Sequence, residues 1–236
     1  MGFSALMDIL FPRACAGCGT EAGDEALYLC WDCLSRLSVI HSPLCRICGN
    51  PVEGAVEDNF VCLSCVRKKP FFNIARSAVR YTGVIQRLIQ DFKYQSATWL
   101  SHDFAELMIA CAKAYLSETD IDAVTSVPLY HAKERERSYN QAFILAKGVT
   151  KYFHKPLVKN ILCRIRPTQS QTHLTYFERE ANVKNVFAVK KANLVKGSSI
   201  LLIDDVMTTG ATVNECSRVL KKAGAEKVSV LTLARR

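Results

Sequence analysis

The sequence predicts an α/β protein, in which a mostly parallel sheet carries helices on both faces and follows a small cysteine-rich module. Three observations support this prediction. Eight of the eleven cysteines precede residue 66. From residue 71 onward, short apolar runs alternate with segments of helical periodicity, an order typical of parallel sheets. Two adjacent aspartates also end one apolar run, and ligands of such sheets bind beyond the carboxyl ends of the strands.

The cysteines before residue 66 form four C-x-x-C pairs, CAGC, CWDC, CRIC and CLSC. A two-residue gap lets a tight turn aim both sulfurs at one ion, and two pairs complete a tetrahedral thiolate site. Without an export signal, metal ligation is favoured over disulfides. We predict two structural zinc ions in two ribbons, with pairing in sequence order favoured over interleaved pairing. The predicted ligands are Cys15, Cys18, Cys30, Cys33, Cys45, Cys48, Cys62 and Cys65.

The first residues of the chain do not read as a signal peptide. The segment Gly2–Phe11 is apolar, but Asp8 interrupts it, no basic region precedes it and Pro12 ends it. These features favour a short amphipathic helix. No run approaches the ~20 apolar residues that a membrane span needs. We therefore expect no membrane span and a cytoplasmic location.

A change of composition at KKPFF, residues 68–72, predicts a boundary between a zinc ribbon domain (1–70) and a larger α/β domain (71–236). The first part carries six Lys and Arg against eight Asp and Glu, formally −2. The second carries 25 against 14, formally +11. This surplus favours anionic ligands such as phosphates or nucleic acid, although dispersed lysines that only aid solubility are the alternative.

The elements of the larger domain follow from the spacing of their apolar residues. Apolar residues at positions 84, 85, 88, 89 and 92, for example, lie on one face of a helix. The predicted strands, in order, are Arg76–Tyr81, Ala123–Val127, Leu157–Arg164, Phe187–Val189, Ser199–Asp204 and Val228–Leu233. The predicted helices are Val84–Phe92, Trp99–Leu116, Asn140–Phe153 and Thr212–Ala223, the last closed by Gly224.

The stretch LLIDDVMTTGAT, residues 201–212, holds the candidate ligand site. Asp204 and Asp205 could accept hydrogen bonds from a hydroxyl-rich ligand or hold a divalent cation. The small residues of TTGAT, with a helix N-terminus behind them, are suited to hold a phosphate. Two acids that can bind neighbouring hydroxyls, next to a loop that can bind a phosphate, predict a ribose 5-phosphate ligand.

This stretch has three alternative interpretations. An apolar run before two aspartates also ends a Walker B strand, but the chain contains no G-x-x-x-x-G-K-[ST] motif. Enzymes with a nucleophilic aspartate commonly show D-x-D-x-T, which DDVMTTG does not match. Helix-capping acids without a ligand are the remaining alternative.

LLIDDVMTTGAT resembles the phosphoribosyl pyrophosphate signature of type I phosphoribosyltransferases. More narrowly, the chain resembles the ComF family of competence-associated, phosphoribosyltransferase-like proteins. The resemblance covers nearly the whole length and rests on the paired cysteines, YTGVIQRLIQDFKYQ, VPLYHAKERERSYNQAFILAKG, RIRPTQSQTHL, FEREANVKNVF and the signature itself. The family pattern R-G-F-N-Q reads RSYNQ here, at residues 137–141, so a glycine is lost while the polar residues persist.

The resemblance implies a type I phosphoribosyltransferase-like fold and a role for each matching residue. Asp204 and Asp205 would take the ribose 2- and 3-hydroxyls, and Lys93 would lie near the sugar. The segment 164–179 would form a flexible hood over the ligand. The implied 5-phosphate loop consists of Thr208, Thr209, Gly210, Ala211 and Thr212; the implied pyrophosphate and hood contacts are Lys133, Arg135, Arg137, Arg166, Thr168, Gln171 and Arg179.

Two functions from different classes stay open at this point. The first is a Mg²⁺-dependent phosphoribosyltransferase that takes phosphoribosyl pyrophosphate and an unknown acceptor, with a link to DNA uptake. Basic side chains and Mg²⁺ would stabilise the departing pyrophosphate while C1 of the ribose gains oxocarbenium character. The second is a non-catalytic binding module that handles single-stranded DNA beside a competence helicase. Nothing in the residues specifies the acceptor.

Overall fold

A computed structural model of the chain describes residues 13–22, 28–54, 59–168 and 176–236, with the backbone alone at 176 and 177. The helix predicted over Gly2–Phe11 lies outside the described residues. The strands are β1 (Ile74–Arg80), β2 (Ala123–Ser126), β3 (Leu162–Arg164), β4 (Phe187–Val189), β5 (Ser199–Met207) and β6 (Lys227–Arg235). The helices are α1 (Trp31–Ser35), α2 (Leu63–Arg67), α3 (Gly83–Tyr94), α4 (Ser101–Tyr115), α5 (His131–Arg137), α6 (Gln141–Phe153), α7 (Tyr176–Val183) and α8 (Ala211–Lys222).

The central sheet has four parallel strands in the order β1-β6-β5-β2, and β3 and β4 form a separate antiparallel pair. Alternate residues of β5 point to opposite faces because the side-chain period of a strand is two. Leu201 and Ile203 join one apolar cluster with α3, α4 and α6, whereas Ile200 and Leu202 join a second cluster with α8 and the β3–β4 pair. The predicted parallel sheet with helices on both faces is confirmed.

The two cysteine-rich segments pack on opposite faces of this sheet. Leu29 and Leu37 of the first belong to the cluster of α3, α4 and α6. Cys45 and Cys65 of the second belong to the cluster of α8. Asp103 in α4 further holds the first segment, since its Oδ1 accepts the backbone N–H of Leu29 at 3.0 Å. Each cysteine-rich segment is therefore part of one of the two apolar cores.

The linker between the two ribbons and the first turn of the second ribbon cover the free edge of β1. Ile40 donates its N–H to the carbonyl of Ala78 at 2.9 Å, and Ala75 donates to the carbonyl of Ile47 at 2.7 Å. Gly49 follows at a φ of 68°, and a Cβ placed there would lie 2.5 Å from the carbonyl oxygen of Ala75. Only glycine allows the second ribbon to approach β1 this closely. The edge strand is thereby protected from pairing with other chains.

The structure differs from the predicted elements in three places. The strand predicted over 157–164 is interrupted by Asn160, whose φ is 63°, so only β3 and a single bridge between Leu157 and Val124 remain. Between the predicted strand Ala123–Val127 and the predicted helix Asn140–Phe153 lies a further helix, α5, which is followed by Ser138 with a left-handed φ of 68°. β5 runs to Met207 rather than ending at Asp204, because β6 pairs with it to that point.

No helix in the described ranges is both long and apolar enough to cross a lipid bilayer.

Candidate functional site

The structure groups the paired cysteines into two clusters in sequence order. Within each cluster the four sulfurs lie within 4.8 Å of one another, as a single tetrahedral ion requires. The first cluster contains Cys15, Cys18, Cys30 and Cys33, and the second contains Cys45, Cys48, Cys62 and Cys65. Four thiolates without an open position fit a structural zinc ion.

Hydrogen bonds in both clusters favour the thiolate form that binds zinc. The N–H groups of Gly17 and Cys30 each donate to Cys15 Sγ at 3.3 Å. In the second cluster the N–H of Cys62 donates to Cys45 Sγ at 3.4 Å. The hydroxyl of Thr20 lies 2.9 Å from Cys18 Sγ and lowers the pKa of this thiol to about 6. These hydrogen bonds lower the pKa values of Cys15, Cys18 and Cys45 and favour their thiolate forms, whereas burial raises the pKa values of Cys33, Cys48 and Cys65.

Asp204 and Asp205 lie in the last third of β5 and are buried, with 7% and 4% of their surfaces exposed. The strand was predicted to end at Asp204, and this end was wrong, because β5 continues to pair with β6 as far as Met207. Both acids nevertheless line a cavity of about 330 Å³ at the carboxyl end of the sheet. A ligand in this cavity could therefore contact both carboxyl groups.

Lys93 of α3 forms an ion pair with Asp205, and its Nζ lies 2.5 Å from Asp205 Oδ2. Burial by itself raises the pKa of Asp205, but the charge and hydrogen bond of Lys93 outweigh it and leave that pKa below its ordinary value. Burial likewise lowers the pKa of Lys93, and the attraction of Asp205 more than compensates, so the pKa is raised. Lys93 and Asp205 are therefore both charged at neutral pH.

Asp204 behaves in the opposite way. Burial, followed by repulsion from Asp205, raises the pKa of Asp204 well above its ordinary value. Because the pKa of Asp204 is raised and that of Asp205 is lowered, Asp204 is the carboxyl of the pair that takes up a proton first as the pH falls. A protonated Asp204 can donate a hydrogen bond while Asp205 accepts one, and this combination suits a vicinal pair of hydroxyls.

The cavity brings together residues that are far apart in the sequence. Its charged lining residues within the described ranges are six cations and two acids, which favours an anionic ligand. The six cations are Lys93, Lys133, Arg137, Arg164, Arg179 and Arg236. Of the other predicted site residues, Thr168, Thr208 and Thr212 line the same cavity.

The predicted phosphate loop lies between β5 and α8. Thr208, Gly210, Ala211 and Thr212 surround a smaller hollow of about 20 Å³ next to Asp204. Gly210 has a φ of 77°, and a Cβ at this position would lie 2.7 Å from Met207 Cε. Glycine therefore permits the tight turn that exposes the N-terminus of α8.

Three predicted contacts are not placed in the cavity. Arg135 is exposed and does not line it, because residues two apart on a helix lie on different faces, whereas Lys133 and Arg137, four apart, share one. Arg166 is exposed and also lies outside the lining. Thr209 belongs to the loop, and its hydroxyl accepts the N–H of Ala211 at 3.3 Å. Gln171 lies outside the described residues.

The RSYNQ stretch positions Arg137. The side chain of Asn140 accepts the N–H of Ala142 at 2.9 Å and donates to the carbonyl of Val127 at 3.0 Å, which joins the start of α6 to the end of β2. Arg137 donates to Gln141 Oε1 at 2.5 Å. Ser138 adopts the left-handed conformation for which the family pattern supplies glycine, so the backbone geometry is kept without that residue.

Arg164 lines the cavity, although the sequence analysis predicted it only as the first residue of the hood and not as a ligand contact. It is the last residue of β3, and its guanidinium carbon lies 5.5 Å from the centre of the Phe187 ring. Burial lowers the pKa of this side chain. The two arginines of RIRP, residues 164–167, alternate with an apolar residue, and this pattern could have indicated Arg164 as a contact for an anionic ligand.

Comparison with known proteins gives two family matches and a set of relatives. Residues 6–70 match the double zinc ribbon domain, and residues 140–236 match the phosphoribosyl transferase domain. Competence protein F of Haemophilus influenzae is 32% identical over 212 residues, covering 88% of this chain and 90% of that protein. DNA utilization protein YhgH of Salmonella typhimurium is 27% identical over 221 residues, covering 88% and 96%. Competence protein ComFC of Bacillus subtilis is 28% identical over 211 residues, covering 88% and 84%.

These matches agree with the paired cysteine clusters and with the parallel sheet that carries the tandem acids. The chain belongs to the ComF family, that of competence protein F and ComFC, in which a double zinc ribbon is joined to a phosphoribosyltransferase-type fold.

Proposed function

We propose that the protein binds phosphoribosyl pyrophosphate with Mg²⁺ and transfers the phosphoribosyl group to an acceptor. The observation that carries this proposal is the shared cavity, in which the Lys93–Asp205 ion pair and Asp204 lie beside the phosphate loop and a group of cations. The two acids supply a donor and an acceptor for the ribose hydroxyls. The loop and the N-terminus of α8 receive the 5-phosphate.

The remaining cations support the departure of pyrophosphate. Arg137, Arg164 and Arg179 line the cavity together with Lys133, and guanidinium groups bind phosphate oxygens in a bidentate manner. Fixed positive charge stabilises the negative charge that develops on a leaving pyrophosphate, so no side chain needs to act as a nucleophile. Mg²⁺ prefers oxygen ligands, so the phosphate oxygens of the ligand and the ionised carboxylate of Asp205 would hold it.

A ligand-dependent thermal shift tests this function. With phosphoribosyl pyrophosphate and Mg²⁺ at about 100 times Kd, we expect a stabilisation of about 2.7 kcal/mol, or about 5 to 10 °C in Tm for a chain of this size. The double substitution Asp204→Asn with Asp205→Asn is expected to abolish the shift, because the pair loses its charge and its ion pair with Lys93. Differential scanning fluorimetry measures both.

Two variants of α5 provide the matched control. Arg137→Ala should weaken the shift because Arg137 lines the cavity, whereas Arg135→Ala should leave it intact because Arg135 faces away from the cavity. An unchanged Tm of the wild-type protein at millimolar ligand would contradict the binding of this ligand and with it the proposed transfer reaction.

Two observations favour DNA handling as a second candidate function. The relatives are named competence proteins and DNA utilization proteins, and residues 71–236 of this chain carry a formal charge of +11. We propose that the protein contacts single-stranded DNA during uptake, beside a competence helicase, through exposed cations such as Arg135 of α5. This role is compatible with a transferase site.

The salt dependence of binding tests the DNA role. For a fluorescent single-stranded oligonucleotide, we expect log K to fall by about 0.7 per contacted phosphate for each tenfold rise in salt. Charge reversal at Arg135 and Arg137 should lower both the affinity and this slope. Unchanged affinity in the reversed protein would exclude α5 from the contact, and salt-independent binding would contradict an electrostatic contact altogether.

A further inference from the structure

A second cavity, of about 320 Å³, lies between the second zinc ribbon, α7 and α8, and we call it the ribbon cavity. Protein cavities that bind small molecules have volumes from about 300 Å³ upward. The ribbon cavity is distinct from the 330 Å³ substrate cavity that holds Asp204 and Asp205, since only Thr208 and Arg236 line both. The function proposed above gives the ribbon cavity no role.

The phosphate loop forms the boundary between the two cavities. Residues 209–211 line the ribbon cavity, Thr212 lines the substrate cavity, and Thr208 lines both. Met207, which directly precedes the loop, also lines the ribbon cavity. A molecule in the ribbon cavity would therefore contact the same backbone segment that is proposed to hold the 5-phosphate.

The charged side chains of the ribbon cavity are engaged in contacts with the protein or with the other site. Lys68 forms an ion pair with Glu180. Arg235 Nη1 donates to the carbonyl of Cys48 at 2.7 Å. Arg236 also lines the substrate cavity, where it belongs to the group of cations proposed to meet the phosphates of the ligand. A charged ligand in the ribbon cavity would have to compete with these contacts, which favours an uncharged ligand.

Apolar side chains form a large part of the remaining lining. Phe72 and Met207 are buried, with 5% and 3% of their surfaces exposed, and Pro70 and Ala211 lie on the same cavity. Apolar surface of this kind gains free energy when the body of an aromatic or aliphatic ligand removes it from water.

Asn214 of α8 supplies an oriented hydrogen-bond donor. Its Oδ1 accepts the N–H of Phe71 at 2.7 Å, and this contact fixes the orientation of the amide. Within the described ranges it is the one hydrogen bond of the Asn214 side chain, so Nδ2 stays available to a ligand. The hydroxyls of Ser64 and Thr208, which line the same cavity, likewise make no hydrogen bond to another described residue. These groups suit a carbonyl or amide oxygen.

We propose that the ribbon cavity is a second ligand site, which takes a small, uncharged molecule with an apolar body and a carbonyl or amide oxygen and which strengthens the binding of phosphoribosyl pyrophosphate. The site itself stands on the cavity and its lining, whereas the effect on affinity rests on the proposed function. A molecule held against the phosphate loop limits the conformations of the loop, so less conformational entropy is lost when a phosphate binds there. Coupling between two sites is reciprocal, so phosphoribosyl pyrophosphate should strengthen the binding of the second ligand by the same factor.

Three benzene derivatives of similar size test the chemistry of the site. Benzamide is uncharged, benzoate is an anion and benzylamine is a cation at pH 7. Saturation-transfer NMR with the zinc-loaded, full-length protein gives their Kd values. We expect benzamide to bind about tenfold more tightly than either charged probe, because no unpaired charge in the cavity compensates for their desolvation. Phosphoribosyl pyrophosphate with Mg²⁺ should raise the affinity for benzamide about fivefold or more.

Two variants and a matched control test the location. Ser64→Leu fills the cavity from α2 and should lower the affinity for benzamide about tenfold, while two zinc ions and the Tm shift with phosphoribosyl pyrophosphate alone are kept. Arg67→Leu is the control, because Arg67 is exposed on the same helix and does not line the cavity. Asn214→Asp keeps the acceptor for the N–H of Phe71 and replaces the amide donor with a carboxylate oxygen, so the preference should change from benzamide to benzylamine. A misfolded variant would not show such a change of preference.

No saturation transfer to benzamide, equal affinity for the three probes or an undiminished affinity in Ser64→Leu would overturn the site. Competition between benzamide and phosphoribosyl pyrophosphate would also overturn it, because the probe would then lie in the substrate cavity. If phosphoribosyl pyrophosphate raises the Tm but leaves the affinity for benzamide unchanged, the coupling is refuted. Benzamide binding that Ser64→Leu abolishes, in a protein whose Tm does not respond to phosphoribosyl pyrophosphate, would support the site and refute the proposed function.

Discussion

Asp205→Asn is expected to destabilise the protein by about 3 kcal/mol or more at pH 7, whereas Asp204→Asn is expected to stabilise it by about 1 kcal/mol. The first substitution leaves the Lys93 ammonium buried without its carboxylate partner. The second replaces a carboxyl whose charged form burial already disfavours. Two adjacent conservative substitutions should therefore shift the free energy of unfolding in opposite directions.

The pH dependence of stability follows from the same two groups. Because the pKa of Asp204 is raised in the folded state, the folded protein holds a proton that the unfolded chain has lost at every pH between the ordinary aspartate value and the raised one. Over this window stability falls as pH rises. Asp205, whose pKa is lowered, contributes stability that is present at neutral pH and lost as the pH falls through its folded value.

Urea denaturation at pH 5, 7 and 8.5 measures both effects. Asp204→Asn should remove the decline of stability between these values, because an amide has no proton to lose there. Adding Lys93→Met to Asp205→Asn should recover stability, since the unpaired ammonium is then absent. A loss of equal size in both single aspartate variants would contradict the assignment of one neutral and one charged acid.

Loss of the second zinc site is expected to abolish the response to phosphoribosyl pyrophosphate, and loss of the first is expected to preserve it. Arg235 Nη1 donates to the carbonyl of Cys48 at 2.7 Å and lies 3.4 Å from Met207 Sδ. Met207 directly precedes the phosphate loop, so the second cluster supports the loop through Arg235. Cys45 is also fully buried in the core that contains α8.

Cys45→Ser and Cys18→Ser are the variants to compare. Structural zinc binds zinc-finger peptides with about 10 to 16 kcal/mol, which matches the total stability of a typical domain, so Cys45→Ser should unfold the core around α8. Cys18 is exposed and remote from the phosphate loop, so its replacement should remove one ion while the ligand-dependent rise in Tm persists. Elemental analysis should find about two zinc ions in the wild-type protein and about one in each variant.

Two results would contradict this account. A wild-type protein with a single zinc ion would refute the grouping of the eight cysteines into two clusters. Equal loss of the ligand response in Cys18→Ser and Cys45→Ser would show that the second cluster has no special connection with the phosphate loop.

The strands and long helices were predictable because their apolar residues repeat with a clear period and are buried in two cores. α5 was missed because all of its residues are exposed or half-buried, and HAKERER has no apolar stripe to reveal a helix. The end of β5 was misplaced because partner strands, rather than local sequence, decide where a strand stops. Asp204 continues the ladder opposite Thr232 although an isolated acid would end an apolar run.

The candidate site was predictable where a short motif contains it and not where the fold assembles it. Asp204, Asp205 and the phosphate loop are contiguous in the chain, and Lys93 was reached through the family resemblance. Gln86, Gln90 and Tyr94 also line the cavity, and they meet the acids only because α3 packs beside the end of the sheet. Their polar spacing on a helix is also what a solvated face would show, so sequence alone could not distinguish the two.

The covered edge of β1 has a consequence for how the chain can be divided. Composition changes at residue 70, yet the backbone groups that satisfy β1 come from Ile40 in the linker between the ribbons and from Ile47 in the second ribbon. A protein shortened to residues 71–236 would expose unpaired backbone amides and carbonyls along β1. An exposed edge of this kind can pair with a strand of another molecule. The linker and the second ribbon thus prevent β1 from pairing with other copies of the chain.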